Sequence, residues 1–407
     1  MKTTCFLITY EYPYQTSEPF LETEILSLSQ KFEKIFIFSV CATSKEKPTR
    51  VYPSNVVPVP LGLRRMKAFE GILHGLFCKD YRLKIADYKP SHFFYSVYYR
   101  GRYLQIFHSI VQFLKKSKID LSNSVFYSYW MTYLGIASYH LKEYAREKGY
   151  TNVCAISRAH AHDIYPYTNP LFFIPFQKET VHNLDGVFPC SQNGADYFQT
   201  NYPEDAEHVS VCRLGTIGPE HAQNGKRAMV FATCSNLYPL KRVDLFASAF
   251  ALLAQKYDQA YWFCIGDGAE KGKISQIIQI NHLESRVSFV GRLPNKMVLD
   301  FYASHDIDYF VNVSTREGLP VSIMEALSFG IPVIATDVGG TSELVSDCNG
   351  KLIDKSLTPA TLFHFLDSMV QLTDTDYSLK RRAARSTWEE KVSAEKNYSE
   401  WCDRISK

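Results

Sequence analysis

The chain has 407 residues, enough for two or three domains at about 100–200 residues each, so a single small domain is excluded. Hydrophobic residues at 46% and charged residues at 21% exclude a disordered or collagen-like chain, and a net charge of +3 excludes a protein that coats nucleic acid with its whole surface. The ten cysteines are scattered singly, without a C-x-x-C pair or a zinc-site spacing, and read as reduced, mostly core thiols.

In chain order, residues 1–10 lack the length and cleavage pattern of a signal peptide. Thr4–Thr9 reads as a buried strand, Tyr12-Pro13-Tyr14 as a turn, Glu18–Lys31 as a helix and Lys34–Val40 as the next strand. Val56–Val59, Val125–Tyr129, Val153–Ile156, Gly186–Cys190 and His208–Leu214 continue the strands, with helical stretches between most of them. The 121–141 stretch is interrupted by serine, threonine and asparagine and is not expected to span a membrane. Such alternation predicts a parallel α/β sheet.

Residues 215–228 lapse into Gly, Pro, Gln, Asn and charges, the composition of a linker. Beyond it, Met229–Cys234, Tyr261–Ile265, Val287–Val290, Tyr309–Val313 and Ile331–Thr336 read as strands, with helices at Val243–Lys256 and Lys271–Asn281. The reading is therefore two α/β domains, 1–214 and 215–385, with a functional cleft between them. Residues 386–407 form a helical tail, expected to bury Trp388, Val392, Tyr398 and Trp401 and to pack back toward the N-terminal domain.

The most informative stretch runs from Arg316 to Ala335. A strand enters a loop containing Glu317 and Gly318, then a helix with Pro320 near its first position and Gly330 past its end. Gly318 lets backbone approach a ligand, and the first amides, at Leu319, Val321 and Ser322, make a helix N-terminus suited to a pyrophosphate. Glu325 lies inside the helix, roughly 7 Å further along its axis, so one carboxylate can face a sugar and the other a ribose.

This pattern resembles the retaining glycosyltransferases of family 4, also called group 1, whose signature is two glutamates eight positions apart in an E-G-L-P-type loop and helix. The resemblance covers residues 229–345 strongly and the domain layout of the chain loosely. It implies the GT-B fold: two Rossmann-like domains facing each other across a cleft, with a C-terminal helix crossing the junction. It also implies that Glu317 contacts donor-sugar hydroxyls and that Glu325 holds the nucleotide ribose. Members commonly place an arginine near 236 and a lysine near 241 on the diphosphate; this chain has Asn236, Lys241 and Arg242. Arg242 either adds the second charge or pairs with Asp244. Gly266-Asp267-Gly268 resembles the turn beside the nucleotide, although glycine and aspartate alone suffice for such a turn, and Arg292 follows a strand where the base-binding loop is expected.

In the first half, Ser157–Tyr165 resembles an R-A-H-x-x-D-x-Y loop, which implies a donor-sugar contact for His160 and places Arg158 and Asp163 on the acceptor side. The 12–18 loop, with Tyr14 and Glu18, borders the acceptor in the family, and Glu18 either caps the following helix or holds an acceptor hydroxyl. A packed core histidine is the other reading of His160; zinc ligation by His160, His162 and Asp163 lacks further ligands at suitable spacing. Asp306-Ile307-Asp308 reads as a strand-start pair of carboxylates before it reads as a metal motif. Residues 61–118 carry twelve Lys and Arg against three Asp and Glu, a local +9 interleaved with aromatics. That pattern suits an anionic membrane surface or a solvated basic face, and no nucleic-acid motif accompanies it.

The expectation is a metal-independent, retaining hexosyltransferase with no resident cofactor. It would move a hexose or N-acetylhexosamine from a UDP- or GDP-linked donor to a glycan acceptor, lipid-linked, in surface polysaccharide synthesis. It would be cytoplasmic, with peripheral contact to the inner face of the membrane through 61–118. A sugar-nucleotide 2-epimerase of the same fold and a non-catalytic sugar-nucleotide sensor are the competing readings.

Overall fold

A computed structural model describes residues 2–15, 17–63, 68–77, 89–222 and 227–407. Cys78 and six of the twelve basic residues of 61–118 lie outside these described residues. The chain divides into two compact units, residues 1–213 with 398–407, and residues 214–397.

Unit 1 begins with β1 (Thr4–Thr9), α1 (Leu21–Lys31), β2 (Lys34–Ser39), β3 (Val56–Pro60), α2 (Ala68–Phe77) and α3 (Phe93–Ser117). It continues with β4 (Ser124–Ser128), α4 (Tyr133–Glu147), β5 (Val153–Ala159), α5 (Gln177–Asn183), β6 (Gly186–Pro189) and α6 (Gln192–Asn201). All pairings in its sheet are parallel, in the order β3-β2-β1-β4-β5-β6. β1 is a continuous apolar run because it is central and covered on both faces. Phe6 stacks between Phe36 and Phe126, with ring centroids 5.5 and 5.1 Å away.

Unit 2 holds β7 (Val230–Cys234), α7 (Val243–Lys256), β8 (Tyr261–Ile265), α8 (Lys271–Ile280), β9 (Val287–Gly291) and α9 (Asn295–Ser304). β10 (Tyr309–Asn312), α10 (Val321–Ser328), β11 (Val333–Thr336), β12 (Gly350–Ile353), α11 (Pro359–Val370) and α12 (Asp374–Lys391) follow. Its parallel sheet runs β12-β11-β10-β7-β8-β9. Trp262, fully buried, packs edge-on to Phe246 at 4.9 Å and anchors α7 on the sheet.

Three expectations are corrected. His208–Leu214 is not a strand: Pro203–His208 forms a 3-10 helix, and only Val209 bridges Val187. β12 was not anticipated. The tail is not one helix: α12 ends at Lys391 and α13 (Ala394–Ile405) begins three residues later. The break is held by Thr216, whose amide donates to the Val392 carbonyl while its own carbonyl accepts from Ala394. Trp388 and Val392 are buried, with the Trp388 indole donating to Thr216 Oγ1 at 2.9 Å in unit 2. Tyr398 and Trp401 are buried in unit 1, where Trp401 donates to Glu24 Oε1 at 2.8 Å.

The nine described cysteines are free thiols; four are buried, four half-buried, and Cys348 is exposed.

Candidate active site

In unit 2 the sheet order places β7 beside β10, and the chain leaves these neighbours in opposite directions, toward β8 and toward β11. Loops that diverge in this way open a crevice at the carboxyl edge, the place where open α/β sheets bind ligands. The segments following β7, β8, β9 and β10 all start at that edge, and they contain every residue that the sequence assigned to the donor except His160, which belongs to unit 1.

The crevice is bridged by one ion pair. Lys241 Nζ, from the β7 side, lies 2.6 Å from Glu317 Oε1, from the β10 side, and the side-chain amide of Asn312 (Nδ2) donates to the same oxygen at 3.2 Å. The two loops are also tied through backbone, with the Thr315 amide donating to the Leu240 carbonyl at 2.8 Å. Behind Glu317, the Gly340 amide donates to the Gly318 carbonyl at 2.7 Å. Gly339, at φ +56°, is required there: a Cβ would stand 1.9 Å from the Glu317 carbonyl oxygen. Leu319 is buried, Pro320 precedes α10, and the amides of Val321 and Ser322 open the helix without intrahelical acceptors. A cation, a carboxylate and a helix N-terminus thus converge on one edge, a set able to take an anion and hydroxyl groups together.

The Gly266-Asp267-Gly268 turn crosses directly over the β7 loop. Asp267 Oδ1 accepts from the Gly268 amide at 2.8 Å, and its carbonyl accepts from Leu237 at 3.0 Å. A Cβ on Gly266 would lie 1.8 Å from the Ser235 carbonyl oxygen, and its φ of +130° is strained for any side chain. Gly266→Ala is therefore expected to displace the β7 and β8 loops and lower the melting temperature of unit 2, checked by calorimetry. An unchanged melt would show that the loops give way freely. Arg292 donates to Asn236 Oδ1 at 3.0 Å, which brings the two polar positions of the β7 and β9 loops together.

Glu325 is buried on α10, and its Oε1 accepts from the side-chain amide of Asn295 at the start of α9. Burial pushes its carboxyl up from 4.5 to about 7, opposed by that hydrogen bond. Because the folded value is the higher one, the fold prefers the protonated acid. Stability falls as pH rises from 4.5 to 7, by roughly 3 kcal/mol in all. Glu325→Gln is expected to melt higher than the parent at pH 8 and like the parent at pH 4. Equal melts at pH 8 would contradict the burial cost.

Two further positions are engaged within unit 2. Arg242 donates through Nε and Nη1 to the carbonyls of Val313 and Lys355, both at 2.7 Å, and so fastens the β10 loop. Asp244, its suggested partner, is bound by Lys273 at 2.6 Å. Asp308 Oδ2 accepts from the Ala228 and Val230 amides and Oδ1 from the Tyr377 hydroxyl, so this carboxylate ties the start of β10 in place.

Unit 1 has its own switch point, between β1 and β4. There Glu18, buried at φ +56°, accepts from the amides of Tyr10, Glu11 and Tyr12 and from the Trp130 indole, each at 2.8–2.9 Å. Tyr10 and Thr132 hydroxyls meet at 2.8 Å across the same gap. His160 Nε2–H donates to the Tyr129 carbonyl at 3.1 Å, and its ring lies 4.5 Å from Trp130. Burial draws this imidazole down to about 4, against the pull of the Asp163 carboxylate, so it is neutral at pH 7 with Nδ1 as an acceptor. Asp163 itself accepts from the His160 and Met131 amides at 2.7 and 2.8 Å, a structural clamp. Tyr14 is buried, and burial, with Tyr52 and Glu46 adding to it, raises its hydroxyl above its ordinary range.

Arg158 is corrected outright. β5 runs on to Ala159, so Arg158 is a strand residue and not a loop one. Its fully buried guanidinium pairs with Glu24 at 3.1 Å, donates to the Cys212 carbonyl at 2.9 Å and stacks 4.5 Å from the Trp401 ring. Sequence reading missed Asn312, Asn295, Trp130 and Thr132. Asn312 alone had a local signal, standing at the strand end five positions before Glu317.

Residues 219–385 match the family model of the glycosyl transferases group 1. Among curated relatives, N-acetyl-alpha-D-glucosaminyl L-malate synthase of Bacillus anthracis is 34% identical over 111 residues, 27% of this chain and 28% of that protein. Poly(ribitol-phosphate) alpha-N-acetylglucosaminyltransferase of Staphylococcus aureus is 29% identical over 189 residues, 45% of this chain and 36% of that protein. The matches thus span about a third of each relative. The crystal structure of Anabaena HepE in complex with UDP aligns over 100% of both chains with a TM-score of 0.67 and 16% identity. Sucrose-phosphate synthase from Thermosynechococcus elongatus aligns over 99% of this chain and 98% of its own, with a TM-score of 0.72 and 13% identity. The fold is GT-B.

Proposed function

We propose that this chain is a retaining group 1 glycosyltransferase that moves N-acetylglucosamine or a related hexose from a UDP-linked donor to a glycan hydroxyl. The observation that carries the reading is the Lys241–Glu317 pair spanning the switch point of unit 2, beside the first amides of α10. The relatives named for N-acetylglucosamine transfer and the UDP of the HepE structure support the choice of donor.

Departure of the diphosphate is the demanding step, since negative charge builds on its oxygens. Lys241 exchanges its Glu317 partner for the phosphate, and the Val321 and Ser322 amides add fixed dipoles aimed at the same charge. Glu317, released from the lysine, accepts from sugar hydroxyls and orients the ring. Glu325 accepts from the ribose, and Asn236 and Arg292 edge the base. His160, neutral and with Nδ1 as an acceptor, takes a sugar hydroxyl. No metal role is assigned, because Asp308 has both oxygens engaged by unit 2 itself. Attack occurs on the face the diphosphate leaves: the bond from C1 to the diphosphate oxygen breaks, the acceptor oxygen bonds to C1 and its proton passes to the departing phosphate oxygen, so an α-linked donor gives an α-linked product. The acceptor is a lipid-linked glycan of a surface polysaccharide, and the enzyme works on the cytoplasmic side of the membrane. None of the described helices is long and apolar enough to cross a membrane.

The test is proton NMR of the enzyme with UDP-N-acetylglucosamine, with and without glycan acceptors. Acceptor-dependent release of UDP with an α-anomeric product supports the proposal. Release of free 2-epimerised hexosamine without acceptor would replace it with an epimerase.

A further inference from the structure

The loop that leaves β1 reaches α1 through Glu18, a glutamate in the left-handed conformation at φ +56°. Backbone of that kind in a residue with a side chain persists where its surroundings over-determine it. Here the Leu21 amide and the Arg50 guanidinium both donate to the Glu18 carbonyl, each at 3.2 Å. The side chain does not cap α1, whose N-cap residue is Phe20.

The buried carboxylate is filled by four donors. Oε1 accepts from the Tyr10 amide at 2.9 Å and the Trp130 indole at 2.8 Å, and Oε2 accepts from the amides of Glu11 and Tyr12, both at 2.9 Å. A carboxylate has about four acceptor positions, so none is left here for a substrate hydroxyl. Three of the donors belong to the loop after β1 and the fourth to the loop after β4, the two strands that meet at the switch point. Glu18 is therefore a clamp between those loops.

The clamp continues to β5. The Trp130 ring lies 4.5 Å from that of His160, and the carbonyl of the preceding residue, Tyr129, accepts from His160 Nε2–H at 3.1 Å. The Met131 amide donates to Asp163, whose other oxygen accepts from the His160 amide. Residues 129–131 thus hold His160 by its ring face, by Nε2 and, through Asp163, by its backbone. We propose that Glu18 is a positioning residue of the unit 1 site: by fastening the Trp130 indole to the β1 loop it fixes the His160 ring, with Nδ1 presented to a substrate hydroxyl. The hydroxyl contact rests on the function proposed above, whereas the fixing of the ring does not depend on it.

The experiment compares four forms of the full chain. Glu18→Gln keeps the shape of the side chain but cannot accept from all four donors, and Trp130→Phe keeps a ring and removes the indole donor. Lys142→Met is the control for destabilisation alone, since Lys142 is buried on α4 and donates to the Asn183 carbonyl at 2.8 Å and to Asp185 at 3.1 Å, before the start of β6. NMR titration of the imidazoles, with His160 assigned by its loss in His160→Gln, reads the positioning. Burial draws His160 down to about 4, the Asp163 carboxylate opposing and the Arg158 guanidinium reinforcing it, and a loosened Trp130 lets water back to the ring. Both clamp variants are expected to raise the proton affinity of His160 by about tenfold or more, toward its ordinary 6.5, with Lys142→Met unchanged. In the UDP-release assay above, both are expected to lower kcat by about ten- to 100-fold while leaving KM for UDP-N-acetylglucosamine unchanged. A His160 titration like the parent's in both clamp variants, or an equal rise in Lys142→Met, would overturn the proposal. The titration needs no substrate, so failure of the transferase reading and failure of the positioning are told apart.

Discussion

Lys241→Ala is expected to lower kcat/KM by about 100- to 1,000-fold, the scale of losing one preorganised charge at a developing oxyanion. In the free protein Lys241 is already held at the crevice by Glu317, so it reaches the diphosphate without searching. Removing it also leaves Glu317, only 11% exposed, without its counter-charge at 2.6 Å. Lys241→Arg is expected to recover part of the loss, since it restores the charge in another shape. Steady-state kinetics with the nucleotide sugar provides the check. A kcat/KM within about threefold of the parent would remove Lys241 from the mechanism.

Glu24→Ala is expected to destabilise unit 1 by about 3–5 kcal/mol, the usual effect of stranding one member of a buried ion pair. Glu24 serves Arg158, the Tyr127 hydroxyl at 2.7 Å and the Trp401 indole at 2.8 Å, all of them buried. Its loss leaves a guanidinium in the core and loosens the end of α13. Replacing both charges, Glu24→Leu with Arg158→Met, is expected to recover much of the stability, because no uncompensated charge remains. Urea denaturation measures both variants. A single-variant loss below about 1 kcal/mol would contradict the account.

The same residue shows where sequence reading stops. Arg158 sits in a motif that resembles a family loop, yet two more residues of strand pairing with β6 turn it into the core, where Glu24 waits on a helix 134 positions away. Nothing local announces that. The break between α12 and α13 is equally remote in origin, since Thr216 inserts its backbone there and Gly215 leaves room for it. β12 was missed because its four residues include a glycine and a lysine and carry little apolar signal. By contrast, β8 and α7 fall where the pattern put them, and the donor residues of unit 2 were legible because one strand-loop-helix unit carries Glu317, Gly318 and Glu325 together. What that unit did not disclose is its partners. Lys241 reaches Glu317, and Asn295 reaches Glu325, only because the sheet order sets β7, β9 and β10 at one edge.

The donor site is tested most directly by thermal melting of the parent and Glu325→Ala with a panel of nucleoside diphosphates and their sugars. A ligand at 100 times its dissociation constant stabilises the folded state by about 2.7 kcal/mol. The account predicts selective stabilisation by UDP and one UDP-sugar, lost in Glu325→Ala. A melt unmoved by every nucleotide in the panel would contradict it.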